Sequence, residues 1–336
     1  RHMPHVNILA QHILDELSRD FAINGRSVLV SASVGIALYP RDAVAAADLL
    51  RHADQAMYAA KQSGRNRYCF FTAEMRNAAW LHLKRIAGLR QAVTQRQLRV
   101  LYQPIVDLQG GGIVGAEAQL YWQHPEDGPL PAAEFADLTE EAGLARDVNA
   151  LVLQDALARA EEWRLLPGSP LWITIEKSSL VLNSNAPEQQ CKAIIDQINR
   201  TQAPVALEVS EAMLLSEAPS STNMLRQLTS SGIPLCLDDF GTGYSSLNSL
   251  TRFPLIGLRI APHLVRAILE SMTRSIASGI IATGHALGLK VIAEGVESEE
   301  QEAQLRAMGC DFAQGCHFFA AMEPLGFKTL LEHGPR

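Results

Sequence analysis

Apolar positions along this chain follow two rhythms, and the change between them divides it. Over residues 7–22, Ile8, Leu9, Ile13, Leu14, Leu17 and Phe21 recur at the spacing of one helical face. The stretch from Val28 to Tyr39 is rich in apolar and small residues, which predicts one or two strands, and Pro40 stops it. A second amphipathic helix is predicted from about Asp48 to Ser63, where Gly64 supplies the C-terminal stop. Residues 73–98 carry Leu81, Ile86, Leu89 and Val93 on one face, the pattern of a connecting helix. From Leu98 onward, short apolar runs alternate with amphipathic stretches. Strands are predicted near 99–106, 113–121, 171–176, 204–209, 233–238, 256–260, 289–293 and 311–314, and helices include 147–164, 188–200, 221–231, 263–287 and 298–308. Such sustained strand–helix alternation predicts an α/β chain built as a closed (β/α)₈ barrel rather than an open sheet. The expected organisation is a small α+β segment over 1–76, a helical linker over 77–97 and the barrel over 98–330.

Composition narrows this without changing it. The 336 residues are 47% apolar, ample for a core, and the length suits one large domain or two ordinary ones. A formal net charge of −7 argues against a nucleic-acid polymer as partner, since such a binder shows a basic face. Cys69, Cys191, Cys236, Cys310 and Cys316 are odd in number, scattered and without a CxxC pair, so they read as reduced thiols in a cytoplasmic protein. No signal peptide is visible at the start. The long apolar stretch from Ile276 to Ala293 contains His285 and Lys290, and reads as a buried helix and strand rather than a membrane span. Membrane anchorage in a longer parent protein stays open.

The chemistry concentrates in Leu235-Cys236-Leu237-Asp238-Asp239-Phe240-Gly241-Thr242-Gly243. Gly232-Ile233-Pro234 turns the chain into a short apolar strand, two carboxylates end it, and a Gly-Thr-Gly turn follows. Neighbouring strand residues point to opposite faces, so both aspartates reach one site only if the backbone bends at the strand end. Paired acids at the tip of a parallel strand suit a divalent cation such as Mg²⁺ or Mn²⁺, which takes hard oxygen ligands. The plainer reading is a solvated turn, because Asp and Gly are ordinary turn residues.

Together with Tyr244-Ser245-Ser246-Leu247, this string resembles the signature loop of EAL domains, a family that hydrolyses the bacterial second messenger cyclic di-GMP. Further motifs carry the resemblance over about residues 85–330: Tyr102-Gln103-Pro104-Ile105-Val106-Asp107-Leu108, Gly115-Ala116-Glu117-Ala118-Gln119-Leu120-Tyr121-Trp122, Leu207-Glu208-Val209-Ser210-Glu211, Ile292-Ala293-Glu294-Gly295-Val296-Glu297 and Gln314-Gly315. The resemblance implies a barrel with one reversed strand. It implies Glu117, Glu208, Asp238, Asp239 and Glu294 as metal ligands, and Glu294 also at the reacting water. Gln314 would orient water or ligand. Gln103, Gln119, Tyr121, Gly241, Thr242 and Gly243 fall where the family contacts the dinucleotide.

Several positions depart from the family. Thr174 stands for an asparagine that ligates metal, Arg259 for the lysine beside the attacking water, and Ala261 for an aspartate of the metal and water network. Gln119 replaces a leucine, and Tyr121 replaces an arginine that contacts phosphate. Arginine keeps the charge of lysine but is planar and effectively never gives up its proton. Alanine can neither bind a metal nor take a proton. These changes lead to the expectation of a degenerate site: a regulatory or receptor module, with a slow phosphodiesterase or a nucleotide-free interaction scaffold as rivals. The retained acids have a plain alternative too, as residues that merely close the barrel mouth. The expected partners are cyclic di-GMP, a second copy of the chain and an unidentified protein. Upstream, Ser33-Val34-Gly35-Ile36-Ala37-Leu38-Tyr39-Pro40 and the helix after it resemble the second half of a GGDEF domain, the diguanylate cyclase fold. The signature loop of that family is absent from this sequence, so cyclase activity is not expected of it. Elsewhere, His124, His263, His285 and His317 share no spacing and read as surface or core residues. Glu211 is expected to cap a helix or face solvent, and Ser245-Ser246 to cap the next helix.

Overall fold

The computed structural model describes residues 3–19, 21–23, 26–28, 30–166, 171–176, 187–201, 204–216, 218–242 and 250–333. The chain forms two compact units, Arg1–Gly88 and Leu89–Arg336. In the first, α1 (Met3–Leu17) is followed by an antiparallel pair, β1 (Phe21–Ile23) with β2 (Arg26–Val28), and then β3 (Ser33–Ile36), α2 (Ala46–Gln62) and β4 (Arg67–Phe70). Parallel pairing joins β3 to β4. Ala10 and Leu14 of α1 are buried, as are Ala56 and Ala60 of α2, while the His52 ring stacks on Phe71 with centroids 3.9 Å apart. The first predicted helix therefore ends early: Phe21 lies on helical spacing from Leu17 but pairs with Val28 instead. Helix α3 (Ala73–Thr94) fills most of the predicted linker, and the division between the units falls inside it.

The second unit runs β5 (Leu98–Asp107), β6 (Ile113–His124), β7 (Gly128–Pro131), a 3₁₀ turn, α4 (Ala136–Glu141), α5 (Ala145–Trp163), β8 (Trp172–Ile175), α6 (Pro187–Ile198), β9 (Val205–Ser210), α7 (Glu211–Leu215) and α8 (Pro219–Ser230). It continues with β10 (Leu235–Phe240), β11 (Leu255–Ile260), α9 (Pro262–Arg266), α10 (Ser271–Ala286), β12 (Lys290–Glu294), α11 (Glu299–Ala307), β13 (Phe312–Gln314) and α12 (Pro324–His333). The sheet order is β5-β13-β12-β11-β10-β9-β8-β6, and β6 pairs back to β5, so eight strands close a barrel. Strand β5 runs antiparallel to both neighbours and the other seams are parallel. β7 adds only an outer hairpin to β6.

Parallel strands covered on both faces should be continuously apolar, and Val205 to Val209 obeys this with every residue buried, Glu208 included. Outside the barrel, α5 buries Val148, Val152, Ala156 and Trp163 at helical spacing. Phe327 of α12 stacks on Trp163 at 4.4 Å, and the Tyr102 hydroxyl donates to Asp155 Oδ1 at 2.6 Å. Helix α11 opens with a reciprocal capping box between Ser298 and Gln301.

Three readings need correction in this unit. The predicted helix 263–287 is two helices, because residues 267–270 form a turn in which Ile268 is fully buried. The apolar stripe runs through that turn, with no Gly or Pro to mark the break. Glu211 does not face solvent: it is buried at the start of α7, and the cap is Ser210, whose hydroxyl accepts from the Met213 amide at 3.3 Å. Strand β7 and helix α12 have no counterpart among the predicted elements. Gly243 and Ser245-Ser246 lie outside the described residues.

Candidate functional site

Strand ends converge at one mouth of a barrel, and here register sets the acids at matching levels. Gln103 of β5 lies opposite Glu117 of β6, which lies opposite Thr174 of β8. Glu294 of β12 likewise lies opposite Gln314 of β13. Asp238 and Asp239 end β10, and the bend their joint use requires is present: Asp239 has φ +55°, and pairing with β11 shifts register between Leu237 and Phe240. A left-handed non-glycine residue is uncommon and marks a constrained spot. The Asp239 amide donates to Asp238 Oδ1 at 2.8 Å, and the Thr242 hydroxyl donates to the Asp239 carbonyl at 3.0 Å. Gly241 follows at φ +100°, where a Cβ would meet Leu264 Cδ1 at 2.7 Å. Turn geometry and packing by themselves call for glycine there.

The centre of the mouth is taken by Arg259, fully buried on β11. Its Nε donates to Glu294 Oε1 at 2.7 Å and lies 3.6 Å from Asp238 Oδ1. Nη1 donates to Glu208 Oε1 at 2.6 Å and reaches Thr174 Oγ1 at 3.5 Å. Nη2 donates to Gln314 Oε1 at 2.8 Å, sits 3.2 Å from Glu117 Oε1 and also bonds Glu294. One guanidinium thus faces four carboxylates from four strands. Burial works against its charge, but those carboxylates outweigh the penalty and hold its pKa even higher than usual. Burial pushes the Glu208 carboxyl well up despite Arg259, with Glu117, Asp238 and Glu294 adding to the rise. For the same first reason Glu294 is pushed up to about 8.

A shell of amides encloses this cluster. Gln119 Nε2 donates to Glu117 Oε2 at 2.6 Å and to Gln103 Oε1 at 3.2 Å. Gln314 Nε2 donates to Gln103 Oε1 at 2.8 Å and bonds Glu117 Oε2 as well. Gln103 Nε2 in turn donates to the Phe319 carbonyl at 3.0 Å. Both oxygens of Glu117 are therefore engaged. The Tyr121 hydroxyl donates to Gln119 Oε1 at 3.4 Å; burial raises its pKa, helped by Glu176 and Glu117. Ala261 is buried and offers only a methyl group.

Gln103, Glu117, Gln119, Asp238, Asp239, Glu294 and Gln314 line a cleft of about 500 Å³ that also exposes Glu176, Glu297, Gly295 and Cys316. Glu176 and Glu297 were given no role from the sequence, although both stand in strings that carry the family resemblance, Glu176 two residues after Thr174 and Glu297 three after Glu294. For a divalent cation the donor set divides in two. Asp238, Asp239 and Glu294 each offer one oxygen, all within 4.8 Å of one another, which fits one ion at the rim. Deeper down the residues do not fit a second ion, because the guanidinium already engages Glu117 and Glu208, and of their four oxygens only Glu208 Oε2 meets no hydrogen-bond donor among the described residues. Among the described residues no helix is long and apolar enough to cross a membrane.

Comparison with known proteins matches residues 86–321 to the EAL domain and residues 2–67 to the diguanylate cyclase GGDEF domain. The bifunctional diguanylate cyclase/cyclic di-GMP phosphodiesterase MucR of Pseudomonas aeruginosa is 36% identical over 331 residues, 96% of this chain and 47% of that protein. The cyclic di-GMP phosphodiesterase PdeR of Escherichia coli is 34% identical over 321 residues, 95% of this chain and 48% of its own. The chain thus spans about half the length of these curated relatives. Among solved structures, the PaMucR phosphodiesterase in complex with c-di-GMP superposes with a TM-score of 0.65 at 32% identity, covering 72% of this chain and 98% of that one. The EAL enzyme Bd1971 with cAMP and cyclic di-GMP bound gives 0.67 at 27% identity, over 76% and 70%. On the match over residues 86–321 and on these identities, the chain belongs to the EAL domain family, with a partial GGDEF domain ahead of the barrel.

Proposed function

We propose that this chain is a regulatory or receptor module of cyclic di-GMP signalling whose EAL barrel does not turn the dinucleotide over. The observation that carries this is the engagement of Arg259 with Glu117, Glu208, Asp238 and Glu294 at once. Two-metal phosphodiester hydrolysis needs one ion to activate water and another to hold the leaving oxygen. A guanidinium supplies charge but no open coordination position, and it effectively never accepts a proton. Ala261 leaves the water without a carboxylate, and the Thr174 hydroxyl is turned toward Arg259 Nη1. An ion on Asp238, Asp239 and Glu294 would supply Lewis acidity at the rim; of the shell amides, Gln119 and Gln314 spend both N–H groups on Glu117 and Gln103, and the Gln103 amide is the donor left to orient a ligand. Loss of one transition-state donor costs about 10²–10³ in rate, and this site alters several members of one cooperative unit.

The test is hydrolysis of cyclic di-GMP under Mg²⁺ or Mn²⁺. The expected outcome is no useful turnover; a rate near the enzyme median of about 10 s⁻¹ overturns the reading. Thr174→Asn, Arg259→Lys and Ala261→Asp together should raise activity more than any one alone, because members of a unit are non-additive. A slow phosphodiesterase is the second reading, favoured by the intact rim triad. Calorimetric titration with the dinucleotide separates a receptor from an interaction scaffold. A two-fold homodimer, the commonest closed assembly, and a protein partner belong to the same proposal. Light scattering that shows a monomer at high micromolar concentration would count against the dimer.

A further inference from the structure

We propose that Arg259 is the resident cation of the barrel mouth: it stands where a deep divalent ion would be gripped, and closes Glu117 and Glu208 to metal. The inference deepens the non-hydrolytic reading but has its own test, since a chain could bind two ions and still not turn over. Its basis is a count of free oxygens. A hard divalent ion takes about six oxygen ligands, and water supplies some only where it has access. Around Arg259, Glu117 Oε1 faces the guanidinium, while Glu117 Oε2 is held by Gln119 and Gln314. Glu208 Oε1 is bonded to Nη1, and Glu208 is almost completely buried. One remaining oxygen, Glu208 Oε2, is not a site.

Charge gives the same answer. Gathering largely buried acids from β6, β9, β10 and β12 is strongly unfavourable unless a cation joins them. Arg259 is covalently part of the wall and fully buried, so its local concentration does not depend on any ion in solution. An added ion would have to displace a guanidinium that makes hydrogen bonds to Glu208, Glu294 and Gln314 together. The deep acids are therefore held together without metal, and at most the rim triad of Asp238, Asp239 and Glu294, two of whose members Arg259 also touches, takes one ion.

The experiment counts ions on the intact chain. Free Mn²⁺ is followed by its paramagnetic resonance signal during titration, and melting is recorded in chelator and in saturating Mn²⁺. The unaltered chain should bind no more than one Mn²⁺ and shift its melting temperature only by what that one ion contributes. Arg259→Lys shortens the side chain and removes the fork, and should bind one ion more and gain from Mn²⁺ at least about 4 °C beyond the shift of the unaltered chain, as expected for a second ion that binds only the folded state. Glu208→Gln, in the Arg259 background, should leave the ion count unchanged. Two Mn²⁺ on the unaltered chain, a fall in the count with Glu208→Gln, or no gain in a folded Arg259→Lys protein each overturns the proposal. If Arg259→Lys does not fold in either condition, the counts on the unaltered chain and on Glu208→Gln decide.

Discussion

Removing the Arg259 side chain beyond its stem leaves Glu117, Glu208, Asp238 and Glu294 facing one another without a countercharge. The cost of breaking a buried ion cluster by deleting one member exceeds what the intact cluster contributes, because desolvated charge stays behind. Arg259→Met in chelator should accordingly lose about 3–5 kcal/mol, read as a lower denaturant midpoint. A loss below about 1 kcal/mol, the scale of exposed pairs, would mean that water already reaches the cluster. At this scale the sequence was legible in part. The identities at 174, 259 and 261 raised the expectation of an altered site, and Arg259 was read as a bulkier bearer of the same charge. That it would enter the acid cluster was not legible, since the partners lie 21 to 142 positions away in sequence and meet only through closure of the barrel. The role of Gln119 was hidden for the same reason: an amide in place of a leucine looks like a ligand contact until Glu117 is seen beneath it.

At the scale of elements, the barrel is stapled at the end opposite the mouth, where β12 begins and β13 is about to. Asp311 accepts from Lys290 Nζ at 2.7 Å and from the Val291 amide at 3.0 Å, and pairs with His285 Nε2 at 2.7 Å. Burial pushes the Asp311 carboxyl up, but the bonds from Lys290, His285 and Val291 outweigh it and hold its pKa below the ordinary range. A depressed carboxyl pKa stabilises the fold above the unfolded value and loses that contribution as pH falls through the folded one. Asp311→Asn should therefore cost about 1 kcal/mol near neutrality, the modest scale set by exposure of Lys290. The difference from the unaltered chain should close as pH falls below about 4, the unfolded aspartate value. Denaturation curves that show a constant gap from pH 7 to 3 would place the effect in packing instead. Gly315 supplies another element-scale test, because a Cβ there would lie 2.1 Å from the Val296 carbonyl oxygen. Backbone cannot yield as a side-chain tip can, so Gly315→Ala should cost about 1–3 kcal/mol, the range for overpacking, and be seen in thermal melting. In the barrel, strand positions were legible to within about three residues, since buried parallel strands are apolar runs ended by acids or glycine. The break between α9 and α10 was not, because a buried turn residue such as Ile268 preserves helical spacing.

For the molecule as a whole, closure of the barrel was legible from alternation alone, while the electrostatic character of its cleft required the fold. Glu117, Glu176, Asp238, Asp239, Glu294 and Glu297 all line it, in a chain whose formal net charge is −7. Cyclic di-GMP, the proposed ligand, carries two phosphodiester charges of the same sign, so long-range forces work against its approach. Screening extends over about 30 Å at 0.01 M salt but only about 10 Å at 0.1 M. The dissociation constant should therefore fall as salt is raised over that range, the reverse of what a basic cleft shows. Tyr121 is the residue to change, because its hydroxyl reaches the amide shell through Gln119 and it offers one neutral donor where an arginine would offer a charged fork. Tyr121→Arg should strengthen binding by about 1–3 kcal/mol, the range for hydrogen bonds to charged groups, and flatten the salt dependence by cancelling one cleft charge. Calorimetric titrations of both proteins at two salt concentrations check this. A constant that does not change with salt in the unaltered chain would show that the acids are neutralised before the ligand arrives, and one that rises would place net positive charge in the cleft. Absence of binding in both proteins would remove the receptor from the proposed function and leave the interaction scaffold.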